Sequence, residues 1–254
     1  MLAYSHWSEN LEALGRRTSR RAEPLDLYLV EKLLREHFGQ PRHGNKSNPL
    51  DELIYILLSL QTTQVNCQRS YRALRKAFPR WSLLAHASPA QIRKAINFAG
   101  LGKQRAGKLA AITRRIERDT GGVSLSGLNK LSSDQAESYL TSLPGVGKKT
   151  ARCILMYSLG RSVFPLDTHC ARILKRLGFH VPDGSLRKCE DRIQERIPPE
   201  IRYSLHVTMI SLGREICMSK RPMCNICPLL SICLTGQSIS DSQLPQLARR
   251  GAEK

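Results

Sequence analysis

The stretch Leu143-Pro144-Gly145-Val146-Gly147-Lys148-Lys149-Thr150-Ala151 constrains local structure more tightly than any other part of the 254-residue chain. Gly145 and Gly147 supply the backbone freedom of a tight turn, positive φ and close approach to a partner included. Leu143 and Val146 are apolar plugs on either side of it. Past Gly147, Ala151, Ile154, Leu155 and Leu159 recur at helical spacing, and Gly160 stands where a helix would stop. Upstream, Asp134 to Leu140 form a helical run, with Ser132 and Gln135 in capping-box spacing. The segment therefore reads as helix, hairpin, helix. A glycine-bearing turn that opens into a helix N-terminus presents unpaired backbone N–H groups at a positive dipole end, a natural seat for phosphate. Such a seat can hold a DNA backbone without reading its bases.

Lys149 falls in the first turn of the second helix, beside Lys148. Two readings stand. Both lysines bind phosphate, as basic residues near such seats commonly do. Alternatively, the cationic neighbour, the dipole and partial desolvation push the Lys149 amine toward its neutral, nucleophilic form.

Composition narrows the class. Apolar residues make up 41% of the chain, enough for a real core, while only 6% are aromatic and no β-type alternation runs through it. The expectation is an all-α protein. Its 40 Lys and Arg against 21 Asp and Glu give a net charge of +19, which points to a polyanionic partner, nucleic acid first. No run approaches the length of a spanning helix and no basic amphipathic stretch shows an aromatic face, so no membrane partner is expected. Met1 to Asn10 lack a secretion-type apolar core. Four of the eight cysteines crowd into residues 217–233, which favours metal ligation in a reducing compartment over disulfides.

Residues 1–23 contain Arg16-Arg17 and Arg20-Arg21 with little periodicity and read as a flexible basic arm. Pro24 to Phe38 is an amphipathic helix. Asn48-Pro49 opens a helix apolar nearly all round, hence central and buried, which ends in the polar run Gln61 to Asn66. Further helices are expected over 67–78, 88–99, 105–120, 170–177, 187–196 and 201–212. Leu101, between Gly100 and Gly102, is either a packed loop leucine or a side chain that enters DNA. Residues 235–254 read as a polar tail.

Asp167 precedes a helical run and serves as an N-cap, a role compatible with carboxylate chemistry opposite Lys149. Cys217, Cys224, Cys227 and Cys233 give the spacing Cys-x6-Cys-x2-Cys-x5-Cys, which can wrap one metal centre, zinc or iron–sulfur. The first gap holds Lys220 and Arg221, a basic loop suited to lie against DNA. Cys67, Cys153, Cys170 and Cys189 lie in apolar patterns and read as small core residues.

Taken together, the hairpin, Leu166-Asp167-Thr168-His169 and the four-cysteine pattern resemble the helix-hairpin-helix DNA glycosylases of the endonuclease III type. The likeness runs from about residue 24 to 233 and includes Leu57-Leu58-Ser59-Leu60-Gln61-Thr62-Thr63 and Gly100-Leu101-Gly102. It implies two helical lobes with a DNA cleft between them: a six-helix barrel-like domain over 48–163, and a cluster domain built from 24–47 and 164–234. It also implies a bifunctional glycosylase and abasic-site lyase acting on oxidised pyrimidines in double-stranded DNA, as a monomer, in a DNA-containing compartment (cytoplasm or nucleoid in a bacterium). Lys149 is then the amine nucleophile and Asp167 its carboxylate partner. The four cysteines hold a 4Fe–4S cluster, and Gln61 and Leu101 fill the hole left by a flipped base. Gly145, Val146, Gly147 and Lys148, with Lys220 and Arg221, grip DNA. The adenine-mismatch branch carries a catalytic Glu where this chain has Leu57, and another residue in place of Lys149. Gln64, where an Asp is usual, and Thr62 depart from the pattern near the base pocket. Alternative readings are a monofunctional mismatch glycosylase and a non-catalytic DNA-binding protein.

Overall fold

The computed structural model describes residues 25–41, 44–60, 62–96, 102–181, 186 and 189–238, and all regular structure among them is helical. The α-helices are α1 (Leu27–Phe38), α2 (Pro49–Ser59), α3 (Gln64–Ala77), α4 (Trp81–His86), α5 (Pro89–Ala95), α6 (Gly102–Thr120), α7 (Ser133–Ser142), α8 (Lys148–Leu159), α9 (Thr168–Arg176), α10 (Glu190–Glu195) and α11 (Arg202–Glu215). Short 3-10 turns occur at Ser126–Lys130, Pro199–Ile201, Cys224–Ile226 and Leu230–Ile232. Among the described residues, no helix is long and apolar enough to cross a membrane.

Side-chain caps set most of the starts. Asp26 caps α1, Asn48 caps α2 with Pro49 in its first turn, and Ser88 and Ser132 form full capping boxes with Gln91 and Gln135. One boundary differs from expectation. The polar run after α2 is not all termination, because Thr63 accepts from the Asn66 N–H and starts α3 at Gln64. The C-terminal boundary also shifts. Thr235 bonds the Arg176 carbonyl at 3.1 Å and the Gly236 N–H meets Cys233 Sγ at 3.4 Å, so the chain is tied down beyond 234. The basic arm, most of the tail, Gln61 and Leu101 lie outside the described residues.

The buried apolar side chains form two clusters. One joins α2 to α8, from Leu50 to Val163, with Leu53, Ile54 and Leu58 of α2 fully inside it. The other combines Leu27, Val30 and Leu34 of α1 with residues from Phe164 to Leu229. The chain's two ends therefore share one core. Where α9 meets α11 the helices are nearly in contact, since a Cβ on Gly213 would stand 2.5 Å from His169 Nδ1. Ser158 Oγ donates to the Lys46 carbonyl at 2.7 Å and ties α8 to the segment before α2, while the Phe164 N–H donates to Gln194 Oε1 at 2.7 Å and holds the start of the second cluster to α10.

The hairpin joins α7 to α8. Leu143 and Val146 are buried plugs, and the Val146 N–H closes the turn on the Leu143 carbonyl at 3.1 Å. Of the two glycines, Gly145 adopts positive φ, at +73°, whereas Gly147 is extended at φ −98°. A Cβ on Gly145 would meet Lys108 Cε at 3.2 Å. Gly145→Ala is expected to cost about 1–2 kcal/mol, the strain of a left-handed L-residue. Urea unfolding should show a lower midpoint with an unchanged slope. Gly147 meets nothing within 4 Å, so no contact within the chain requires glycine there; the open space suits a partner's close approach.

Candidate active site

A cleft of about 350 Å³ is walled by α2, α3, α8 and α11, and so lies where the two clusters meet. Tyr55 and Ile56 come from α2, Gln64 and Cys67 from α3, Lys149, Cys153 and Tyr157 from α8, and His206, Ile210 and Arg214 from α11. Asp167, the N-cap of α9, completes it. Lys149 and Asp167, far apart in sequence, thus open into one cavity. Asp167 is the only carboxylate that lines it among the described residues.

The electrostatics correct one expectation. Lys149 is held above the ordinary lysine value: Cys153 beside it raises it most, Asp167 and Cys170 add to that, and burial opposes them. The amine therefore rests protonated rather than being pushed toward neutrality. Burial pushes the Cys153 thiol up to about 11, so near neutral pH it is an uncharged neighbour and Asp167 is the standing anion. Asp167 itself is held below the usual carboxylate range. Burial alone would raise it, but His206, the Cys170 N–H at 2.8 Å and Lys149 outweigh that.

Burial presses His206 down to about 4 from 6.5. Between those values the unfolded chain takes up a proton that the folded chain refuses, so stability falls as the pH drops through that window. The effect is on the order of 3 kcal/mol. Urea unfolding between pH 7 and 4 should show this slope in the wild type and lose it in His206→Gln.

Neighbouring residues support the cleft wall. Glu52, fully buried, accepts from the Asn45 amide and from the Lys46 N–H at 2.7 Å, which pins the loop that carries Gly44 and Asn45 into the cavity. Arg105 donates to the Leu60 carbonyl at the end of α2. Leu57, at the position where the mismatch branch carries its acid, is buried in the first core and is not part of the cavity lining.

Other expected site residues lie elsewhere. Gly147 is the N-cap of α8 and offers no side-chain cap, so the first-turn amides of Lys148 to Thr150 have no capping side chain from it. Lys148 is not a free cation, because its ammonium pairs with Asp191 and lies 4.0 Å from Glu137. Arg152, buried one turn on, binds both of those carboxylates and makes α8 the hub of an ion network. Lys220 and Arg221 are exposed on the cysteine-rich loop, with Arg221 at φ +53°.

Cys217, Cys224, Cys227 and Cys233 ring one small pocket of that loop. Arg176 Nη1 donates to Cys217 Sγ at 3.1 Å and the Gly236 N–H donates to Cys233 Sγ at 3.4 Å. Residues that sequence alone assigned to the core also reach the cleft. Cys67 and Cys153 are buried and line it, and His206 carried no local signal, since its helix is apolar around it.

Residues 54–199 match the model of the HhH-GPD superfamily of base excision DNA repair proteins. The chain is 30% identical to endonuclease III of Bacillus subtilis over 75% of its own length and 83% of that protein's. It is 28% identical to endonuclease III of Thermotoga maritima over 81% and 92%. An Arabidopsis thaliana protein described as a DNA glycosylase is 34% identical, and there the chain spans 56% of the relative's length. In structure it is similar to a non-covalent endonuclease III–DNA complex, with TM-score 0.71 and 26% identity over 85% of this chain and 97% of that one. A trapped endonuclease III–DNA covalent intermediate gives TM-score 0.72 and 25% identity over 85% and 100%. The chain belongs to the HhH-GPD superfamily of base excision DNA repair proteins and is endonuclease III-like in sequence and fold.

Proposed function

We propose that the protein is a bifunctional DNA glycosylase and abasic-site lyase that uses Lys149 as its nucleophile. The observation that carries this reading is the shared cavity: a single lysine and a single carboxylate, Lys149 and Asp167, line one nucleotide-sized cleft among the described residues. A damaged pyrimidine nucleotide swings out of duplex DNA into that cleft. Lys149, once it has shed its proton, attacks C1′ and the base leaves with the bonding electrons. Asp167, held ionised, steadies the positive charge that develops on the sugar. Loss of water from the filled cleft weakens the charged form of the amine and helps the proton depart. Breaking of the C1′–O4′ bond, with the proton from the adduct nitrogen passing to O4′, and uptake of a further proton on nitrogen turn the C1′ adduct into an open-chain iminium, which acidifies the C2′ proton. Loss of that proton then drives β-elimination, and the 3′ phosphate leaves with the electrons of the 3′ C–O bond. The amides at the start of α8, with Lys220 and Arg221, hold phosphates.

Leu57 argues against the mismatch-type alternative, because its buried side chain offers no acid to the base. A 4Fe–4S cluster on Cys217, Cys224, Cys227 and Cys233 suits the ring of thiols. All four thiols border one pocket, and a four-thiolate set is what such a cluster takes. Such a cluster supplies a covalent frame for the loop, and no step of the reaction runs through it.

The test is a set of duplexes, each with one defined lesion or an abasic site, incubated with the protein and borohydride. A covalent protein–DNA adduct and a strand break are expected at the abasic site and at oxidised pyrimidines. Base release without an adduct would point to the monofunctional reading, and neither would leave only DNA binding.

A further inference from the structure

We propose that Arg214 grips the phosphate that flanks the extruded nucleotide and so sets C1′ in front of Lys149. This assignment rests on the glycosylase reading above and deepens it. Val207, Ile210, Ser211 and Arg214 of α11 all line the cleft. They stand at i, i+3, i+4 and i+7, the spacing of one helix face, so this is the face that α11 turns to the cavity. Long side chains on a helix lean back over the preceding turn, here the turn of Ile210 and Ser211. Arg214 is exposed, so its guanidinium is open to an incoming ligand.

The fold makes no use of this cation. Among the described residues Arg214 has no hydrogen bond and no ion pair. Its neighbours differ: Arg172 donates to the Gly213 and Cys217 carbonyls, Arg176 to the Met218 carbonyl, and Arg202 to those of Ile197, Ser162 and Gln194. The end of α11 is also closed without it, since the Ile216 and Cys217 N–H groups both reach the Leu212 carbonyl and Arg172 takes that of Gly213.

Charge in the cavity is unbalanced. Asp167, the only carboxylate in the lining among the described residues, is already faced by Lys149 and by the Cys170 N–H. Two cations, Lys149 and Arg214, share the cleft with it, so one positive charge is left unmatched. A nucleotide that swings in brings the missing anion, because its flanking phosphates travel with it. A guanidinium meets phosphate through two parallel N–H bonds, which fix orientation as well as position. Left bare, the same cation would oppose the positive charge that develops on the sugar. Paired with phosphate, it does not.

The experiment is a double-substitution cycle between protein and DNA. Wild type, Arg214→Ala and Arg214→Lys are trapped with borohydride in single turnover on abasic duplexes. These carry either every phosphate intact or one uncharged methylphosphonate, on the 5′ or the 3′ side of the abasic nucleotide. Affinity for the same duplexes with a tetrahydrofuran residue, which permits no chemistry, is measured in parallel. One of the two methylphosphonates should slow wild-type trapping and weaken its binding at least about ten-fold. Arg214→Ala should lose as much on the intact duplex, and less than about three-fold more from that methylphosphonate, because the partner is already gone. Arg214→Lys should recover part of the rate, since it keeps the charge without the fork. In Arg214→Ala the slope of log affinity against log salt should flatten by about 0.9. Unaltered trapping and affinity in Arg214→Ala, its full further loss from both methylphosphonates, or no wild-type loss from either overturns the assignment; wild-type trapping then still upholds the enzymatic reading. A loss confined to a duplex with 5-carboxyuracil, with none on abasic DNA, gives the guanidinium to the base and also overturns it. Wild type that neither traps nor releases any base overturns the enzymatic reading alone if the tetrahydrofuran cycle stays non-additive, and the assignment with it if that cycle is additive.

Discussion

Lys149→Ala leaves no borohydride-trappable adduct on abasic duplex, and lesion-dependent strand cleavage falls by at least about four orders of magnitude, the scale on which covalent enzymes lose rate without their nucleophile. The reason is chemical rather than structural. Lys149 is half-buried at the start of α8, where Cys153 and Asp167 fix its amine in the cleft. No other lysine lines that cavity among the described residues, so none can take its place. Arg214, also in the lining, carries a guanidinium rather than an amine and does not supply the imine nitrogen. The alanine variant should still bind duplex DNA, since the hairpin amides and the basic surface are untouched. Gel-shift affinity together with trapping separates the two outcomes. An adduct on the alanine variant would assign the nucleophile elsewhere. Because the resting amine is protonated, the wild-type single-turnover rate should rise with pH until the bound-state amine has titrated.

Glu137→Ala is expected to lower stability by about 3 kcal/mol, the low end for breaking a buried ion pair. Arg152 is 2% exposed and its Nε donates to Glu137 Oε2 at 2.7 Å. Removing the glutamate strands a buried guanidinium that only Asp191, half in solvent, still contacts. The thermal midpoint should drop by roughly 6–12 °C. Asp191→Ala, which removes the exposed partner, should cost only about 1 kcal/mol. That variant also frees Lys148, so DNA affinity should hold or rise while stability dips. Equal losses in the two variants would show that the network is not centred on Arg152.

The elements that local chemistry controls were legible. The capping residues Asn48, Ser88, Ser132 and Asp167 marked helix starts, the apolar run of Leu53 to Leu58 announced a central helix, and the hairpin followed from its glycines and plugs. Where readings failed, a longer-range term was at work. Thr63 reads as loop composition until its hydroxyl caps α3. Lys148 reads as a phosphate ligand, and sequence gives no sign that Asp191, 43 residues on, pairs with its ammonium. The Lys149 amine was expected to lean neutral because neighbouring sequence showed only positive charge and a dipole, and the standing anion that faces it, Asp167, comes from the N-cap of α9.

By itself the sequence determined the helix class, the hairpin, the candidate pair Lys149 and Asp167, and the clustered thiols, because caps, turns and ligand spacing are local in the chain. Only the tertiary structure decided that Lys149 is held above the ordinary lysine value, that Lys148 is engaged, and that His206 is buried against Cys170 in the cleft wall. Those properties depend on burial and on charges from distant elements, and such distances exist only once the two cores have closed around one cavity.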